Sequence, residues 1–308
     1  MAQSSDEVIK REILDKVGYE VGNIKLRIFP DSSREDQNLF SEGGLTFGYN
    51  GVAYGSCDAV WYIENKKYVS GYNKKRVNDF PVIALEGTDA LSRGSSGNAQ
   101  IQRFHHVLGA VKDNILGIYY LKKGEHEVHP DLYGMAYFAS KEEKGNYLII
   151  QDLNIVNDIL KIINEEGLES SVLQNYIDDQ LNYMYKLWDK KKFKKLYDRN
   201  WEKFAKRRST IIKDNYVLKY AGRCLNNFTK SSQRAGHIAV GEMFLTRYYF
   251  YTKNIYYLFS RMTKDDLDYL DNNKNDDKEW YLLRNEPNVS IITSVSYTHL
   301  TLPTILRV

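Results

Sequence analysis

The run FPVIALEG, residues 80–87, is apolar through Leu85 and then stops on a carboxylate, Glu86. A continuous apolar stretch of this length, with β-branched Val82 and Ile83 inside it, predicts a central buried strand. It implies a sheet whose middle lies inside the protein, and therefore helices to cover it. The flanking text agrees. Ser4 opens a Ser-x-x-Glu capping box with Glu7, and Val8, Ile9, Ile13, Leu14 and Val17 follow at helical spacing. From Ile24 the pattern is β-like: IKLRIF, LTFGYNG and GSCDAVWYI. ENKKYVSGY then reads as the return arm of a hairpin turning through Glu64–Lys67. Residues 98–110 predict a helix, NILGIYYLKKG an inner strand, and YGMAYFA and YLIIQD further strands of the sheet.

After Asp152 the period lengthens. Leu153, Val156, Ile159, Leu160 and Ile163 recur at i, i+3, i+4, and Gly167 stands where a helix cap is needed. Phe193, Leu196, Tyr197, Trp201 and Phe204 form an apolar stripe on a basic helix, whereas DYLDNNKNDDKEW reads as a loop. The expected architecture is an α/β core over residues 1–152, a mixed central sheet flanked by helices. A largely helical basic region over 153–293 follows it. The final SVSYTHLTLPTILRV (294–308) resembles translated sequencing adapter and is expected to be non-native from Ser294.

The net charge of +3 conceals a segregation. Between Lys186 and Arg234 there are 16 Lys or Arg against four acids, a balance of +12; the rest of the chain has 27 against 36, or −9. A solvated helical face could carry some of this, but a block so one-sided points to a polyanionic partner. No stretch has a signal-peptide core or transmembrane length, which predicts no membrane partner. Only Cys57 and Cys224 occur, so a disulfide framework is not expected and a reducing cytoplasm is.

Two acids stand out by position. Asp58 lies at the start of one predicted strand and Glu86 at the end of another. If those strands are neighbours, both carboxylates meet at one edge of the sheet, and an all-oxygen pair of that kind suits Mg²⁺. The plain alternative is two strand-end acids in solvent. Other motifs argue less. RGSSGNAQIQRF offers a glycine-rich turn before a helix, suited to a backbone contact with phosphate, but it is neither a P-loop nor a dinucleotide fingerprint, so no nucleotide cofactor is expected. HEVH, residues 126–129, reads as a surface loop rather than a zinc site, and Cys57 as a buried thiol rather than a nucleophile.

The order of helix, β-meander with Asp58, strand with Glu86, helix and strand resembles the PD-(D/E)xK nuclease superfamily, and type II restriction endonucleases within it. Cys57-Asp58 stands where that family has Pro-Asp, and Glu86-Gly87-Thr88 where it has Glu-x-Lys. The resemblance implies a restriction-endonuclease-like core over roughly residues 5–121, with Asp58 and Glu86 as ligands to Mg²⁺. It also implies double-stranded DNA as substrate, a homodimer, and a cognate DNA methyltransferase in the same system without a stable complex. Thr88 occupies the lysine position, so the group that orients the attacking water is left among Thr88, Gln102 and Lys112.

DNA contacts are expected from three places. Lys190, Lys191, Lys192, Lys194, Lys195, Arg207 and Arg208 suit phosphates. Gln233, Arg234 and His237 precede an apolar run, and Gln and Arg are the side chains that pair with adenine and guanine edges. Gln100 and Arg103 are a second candidate pair for bases. Two other functions fit the same text: a nucleic-acid-binding protein with a nuclease-like core that does not cut, and an enzyme holding a phosphorylated small molecule on the glycine-rich turn.

Overall fold

The computed structural model describes residues 5–28, 46–92, 100–188, 209–212, 215–220, 233–249, 254–259, 263–272 and 278–293. Two compact units divide the chain, Met1–Trp188 and Asp189–Val308.

The first unit is built on a six-stranded mixed sheet. In spatial order its strands are Glu20–Val21, Ile24–Ile28, Ala59–Ile63, Phe80–Thr88, Leu116–Leu121 and Tyr147–Ile150. The first four pair antiparallel; Phe80–Thr88 and Leu116–Leu121 are parallel, as are Leu116–Leu121 and Tyr147–Ile150. The helices Phe104–Lys112 and Pro130–Glu142 make these two parallel crossovers. As FPVIALEG requires, Phe80–Thr88 is central and buried from Pro81 onward, and Leu116–Leu121 beside it is buried throughout. Strand Ile24–Ile28, nearer the edge, alternates buried and half-buried residues, the signature of one covered face. Helix Ser5–Lys16 lies over the sheet, with Ile9 and Ile13 fully buried.

Helices Asn154–Glu166 and Ser171–Leu187 pack on each other and belong with this sheet, although their period suggested the start of the basic region. Val156, Ile159, Leu160 and Ile163 face inward as their spacing predicts. Gly167, at φ +89°, ends the first helix by donating to Ile163 O at 3.0 Å.

Three local readings change. ENKKYVSGY is not the return arm for Ala59–Ile63: Tyr68–Val69 pairs with Arg76–Val77, and Ala59–Ile63 has Ile24–Ile28 and Phe80–Thr88 as neighbours. A five-residue strand buried over its first four positions needs long partners on both edges, and a two-residue strand cannot provide one. YGMAYFA is helix, not strand. Pro130 sits in its first turn, and Leu132, Met135, Ala136 and Ala139 recur at helical spacing on the buried side. DYLDNNKNDDKEW is partly helical, since Asp268–Asn272 ends the helix Lys264–Asn272 and Lys278 begins Lys278–Asn285.

Among its described residues the second unit combines helices with strands. It holds a four-stranded sheet in the order Ser209–Ile212, Asn215–Tyr220, Asn254–Phe259, Val289–Thr293, antiparallel in the first pair and parallel in the others. Tyr-rich strands such as NIYYLF carry strong β propensity that a lysine-led reading of the region overlooked. The helix Gln233–Phe244 runs on into a π-turn, Leu245–Tyr249, where Arg247 pairs with the buried Glu286. No helix among the described residues is long and apolar enough to cross a membrane.

Candidate active site

The central strand ends at Thr88, and its neighbour begins at Ala59 running the other way, so Glu86 and Asp58 come to the same edge of the sheet. Asp58 N–H donates to Leu85 O at 2.9 Å, and the Asp58 carboxylate accepts the Gly87 N–H through Oδ2 at 2.7 Å. The two acids thus flank one peptide, that between Glu86 and Gly87. Both are buried, Asp58 at 7 % exposure and Glu86 at 1 %. Two strand-end acids in solvent would look different, so the plain reading of the pair fails on burial.

A buried carboxylate needs compensation. Arg103, immediately before helix Phe104–Lys112, supplies it: Nη1 lies 2.8 Å from Glu86 Oε1 and 3.4 Å from Gly87 O. One helical turn on, His106 places Nδ1 3.1 Å from Glu86 Oε2. Burial opposes the charge on Arg103, but Glu86 and Asp58 outweigh it and hold the guanidinium more firmly protonated than usual. Tyr119 is in register with Glu86 on the adjacent parallel strand and so stands on the same face of the sheet. Its hydroxyl is buried without a hydrogen-bond partner among the described residues, and burial, with Glu86 next, pushes its pKa up.

The opposite face of the strand is sealed. A Cβ on Gly87 would come within 2.4 Å of Ile9 Cγ2, so helix Ser5–Lys16 packs against bare backbone there. Gly55, at φ +147°, similarly admits His106, whose Cδ2 would be 2.6 Å from any Cβ.

The other expected residues fall in several places. Thr88 is two residues beyond Glu86 on the same face, only 5 % exposed, with Oγ1 accepting the Ala90 N–H at 3.2 Å. Gln102 is half-buried in the turn before the helix. Lys112 is drawn elsewhere: it is 4 % exposed, bonds Glu143 at 2.9 Å and lies over the rings of Tyr49 and Tyr54. Gln100 is also committed. Its Nε2 donates to Glu127 O at 3.1 Å and its Oε1 accepts the His129 N–H at 2.8 Å, so a side chain expected at bases is a buried clamp on the 127–129 loop. Arg103 is on Glu86. Cys57 is fully buried, its thiol pushed well up by burial and then by Glu86 and Asp58. In HEVH, His126 is exposed and His129 pairs with Asp131 at 2.9 Å.

Gln233, Arg234 and His237 lie in the first turns of helix Gln233–Phe244. Lys190, Lys191, Lys192, Lys194, Lys195, Arg207, Arg208, the aromatic stripe 193–204, the glycine-rich turn 93–99, Cys224 and the tail from Ser294 lie outside the described residues. Sequence reading missed His106 and Tyr119. His106 is found by adding one helical turn to Arg103, and Tyr119 only by knowing the strand register.

Among the described residues no group of three or more His, Cys, Asp or Glu side chains converges as a metal cage. The donor set at this edge is two carboxylates. That composition misfits structural zinc and fits Mg²⁺, which takes one or two carboxylates and fills its other positions with water and phosphate oxygens. No family model, curated protein or solved structure matches the chain.

Proposed function

We propose that this chain is a type II restriction endonuclease, a Mg²⁺-dependent enzyme hydrolysing phosphodiester bonds of double-stranded DNA at a short specific site. One observation carries the reading: Asp58 and Glu86, 28 positions apart in sequence, flank a single peptide at one edge of the central sheet. The element order supports it. Helix Ser5–Lys16, the antiparallel strands Ile24–Ile28 and Ala59–Ile63, the Glu86 strand, helix Phe104–Lys112 and parallel strand Leu116–Leu121 follow the succession that the PD-(D/E)xK resemblance implies. The +12 balance of residues 186–234 supports a polyanionic substrate.

Asp58 and Glu86 would hold Mg²⁺, which when bound supplies positive charge to phosphoryl oxygens and makes water acidic enough to lose a proton near neutral pH. The chain's own part is positional. Gly87 N–H fixes the Asp58 carboxylate, Ile9 seals the back of the strand, and the buried surroundings strengthen every charge interaction at the edge. A short specific site read symmetrically calls for a homodimer, and a cytoplasmic enzyme of this kind works beside a methyltransferase that protects host DNA. A DNA-binding protein that does not cut is the second reading. The Arg103–Glu86 pair and the uncharged Thr88 favour it.

The test is digestion of long unmethylated DNA with and without Mg²⁺. Discrete fragments that appear only with the metal meet the proposal; intact DNA in both conditions favours the second reading, and a smear means cutting without a specific site.

A further inference from the structure

We infer that the seam between helices Pro130–Glu142 and Ser171–Leu187 is a stacking platform for the unpaired bases of single-stranded nucleic acid, a second binding surface that does not depend on the nuclease reading. Four rings meet there in a closed circuit. Ring centroids of Tyr137 and Tyr185 are 4.9 Å apart, Tyr185 and Trp188 5.6 Å, Trp188 and Phe138 5.0 Å, and Phe138 and Tyr137 5.4 Å. Tyr137 and Phe138 come from the first helix; Tyr185 lies in the last turn of the second, and Trp188 is its C-cap. Trp188 anchors the circuit. It is only 6 % exposed, and its ring fits against the bare backbone of Gly134, where a Cβ would stand 2.7 Å from Cδ1. Tyr185, at the other end, is 49 % exposed.

Closing the end of a helix needs a buried ring such as Trp188, but it does not need a tyrosine that is half in water. Held between Tyr137 and Trp188, Tyr185 presents its open side already ordered, so a ligand that covers it removes little further side-chain freedom. Charge selects the ligand. Lys141 Nζ lies 5.3 Å over the Tyr137 ring, and Lys186, next to Tyr185 in the chain, is exposed. The acids of this helix, Asp178 and Asp179, sit nearer its start. Lys186 is also the first residue of the 186–234 block, with its balance of +12. Aromatic rings beside lysines are the combination that holds a single strand, bases on the rings and phosphates on the cations. A duplex keeps its bases stacked on one another, so the strand must be unpaired. A second copy of the chain docking here about a two-fold axis would bring the lysines toward their own counterparts, which like charge opposes.

The experiment measures binding of the full chain, in EDTA, to a labelled oligothymidylate of about 12 nucleotides and to an abasic strand with the same phosphates. Fluorescence anisotropy reads both affinities for the wild type, Tyr185→Ala and Tyr185→Trp, and sedimentation reads the oligomeric state. The wild type is expected to bind the thymidine strand at least about five-fold more tightly than the abasic one, the lower end of what one stacked base contributes. Tyr185→Ala should lose about five-fold or more on the thymidine strand and almost nothing on the abasic strand, and Tyr185→Trp should bind as the wild type does. If Tyr185→Ala does not melt cooperatively, Tyr185→Leu, which keeps apolar bulk without a ring, takes its place with the same expectation. Equal wild-type affinity for the two strands, or no binding to either, overturns the inference, and so does a Tyr185 variant that weakens both strands alike or neither. A dimer that Tyr185→Ala dissolves, with strand binding unchanged, assigns the surface to a second copy instead. With no metal present nothing is cut, so failure of the nuclease reading leaves this result standing, and failure here leaves the sheet-edge site untouched.

Discussion

Arg103 Nη1 stands 2.8 Å from Oε1 of Glu86, a side chain with only 1 % of its surface exposed. The two are unequal partners: the acid is inside and the guanidinium reaches out. Taking away the guanidinium strands a charge in the interior, whereas taking away both charges does not.

Arg103→Gln is therefore expected to cost about 3 kcal/mol of stability, near the lower end of the range for a broken buried pair because Arg103 is part-exposed. Glu86→Gln with Arg103→Gln should cost clearly less than the sum of the single changes. Urea denaturation of the four proteins gives the coupling; strict additivity would mean the pair is not energetically linked.

The contact at Gly87 makes a second prediction. A methyl there meets Ile9 Cγ2 at 2.4 Å, so Gly87→Ala should destabilise by about 1–3 kcal/mol through overpacking. Adding Ile9→Ala removes the clashing atom, and the double variant should be more stable than the two losses together suggest. Equal and additive losses in thermal melts would place helix Ser5–Lys16 elsewhere.

Gln100 is a clamp, and its loss should read as one. Gln100→Ala leaves Glu127 O and the His129 N–H without their side-chain partner and is expected to cost about 1–3 kcal/mol. Preference among duplex sequences should not move. A changed preference at unchanged stability would return Gln100 to the DNA.

Much of the fold could be read from the chain, and the reasons are specific. FPVIALEG could only be an inner strand because it offers apolar side chains to both faces, and Val156 to Ile163 could only be helix by their period. Asp58 and Glu86 were legible as a pair because strand ends are visible in sequence. What escaped was tertiary. YGMAYFA has apolar residues for either state, and Pro130 at its start was the cue for helix. The Tyr68–Val69 pairing with Arg76–Val77 joins residues that no periodicity connects. Gln100 and Arg103 have the composition of base readers, but the fold turns one into a loop clamp and the other onto Glu86. Tyr119 needed the register, which depends on where the Phe104–Lys112 crossover lands.

The His129–Asp131 pair gives a pH dependence with a defined sign. The hydrogen bond to Asp131 raises His129 above its ordinary value against the opposing effect of burial. Burial raises Asp131 as well, against the lowering effect of its hydrogen bond to His129. A histidine raised on folding contributes fully below its unfolded pKa and loses that contribution as pH rises through the folded value. With His129 40 % exposed, the loss should be about 0.5 kcal/mol or less. Denaturation at about pH 5.5 and about pH 8.5 should show wild type losing more stability on alkalinisation than His129→Gln. The reverse order would mean that the pair does not form.

The most direct test of the central claim is the single-turnover cleavage rate of Asp58→Ala and Glu86→Ala on a cut duplex in Mg²⁺, alongside duplex affinity in Ca²⁺. With both carboxylates serving the metal, each variant should lose cleavage by at least about 1,000-fold, the scale of removing metal charge and activated water, while still binding DNA. A folded variant of either kind that cuts at a rate near wild type would contradict the assignment of this sheet edge as the active site.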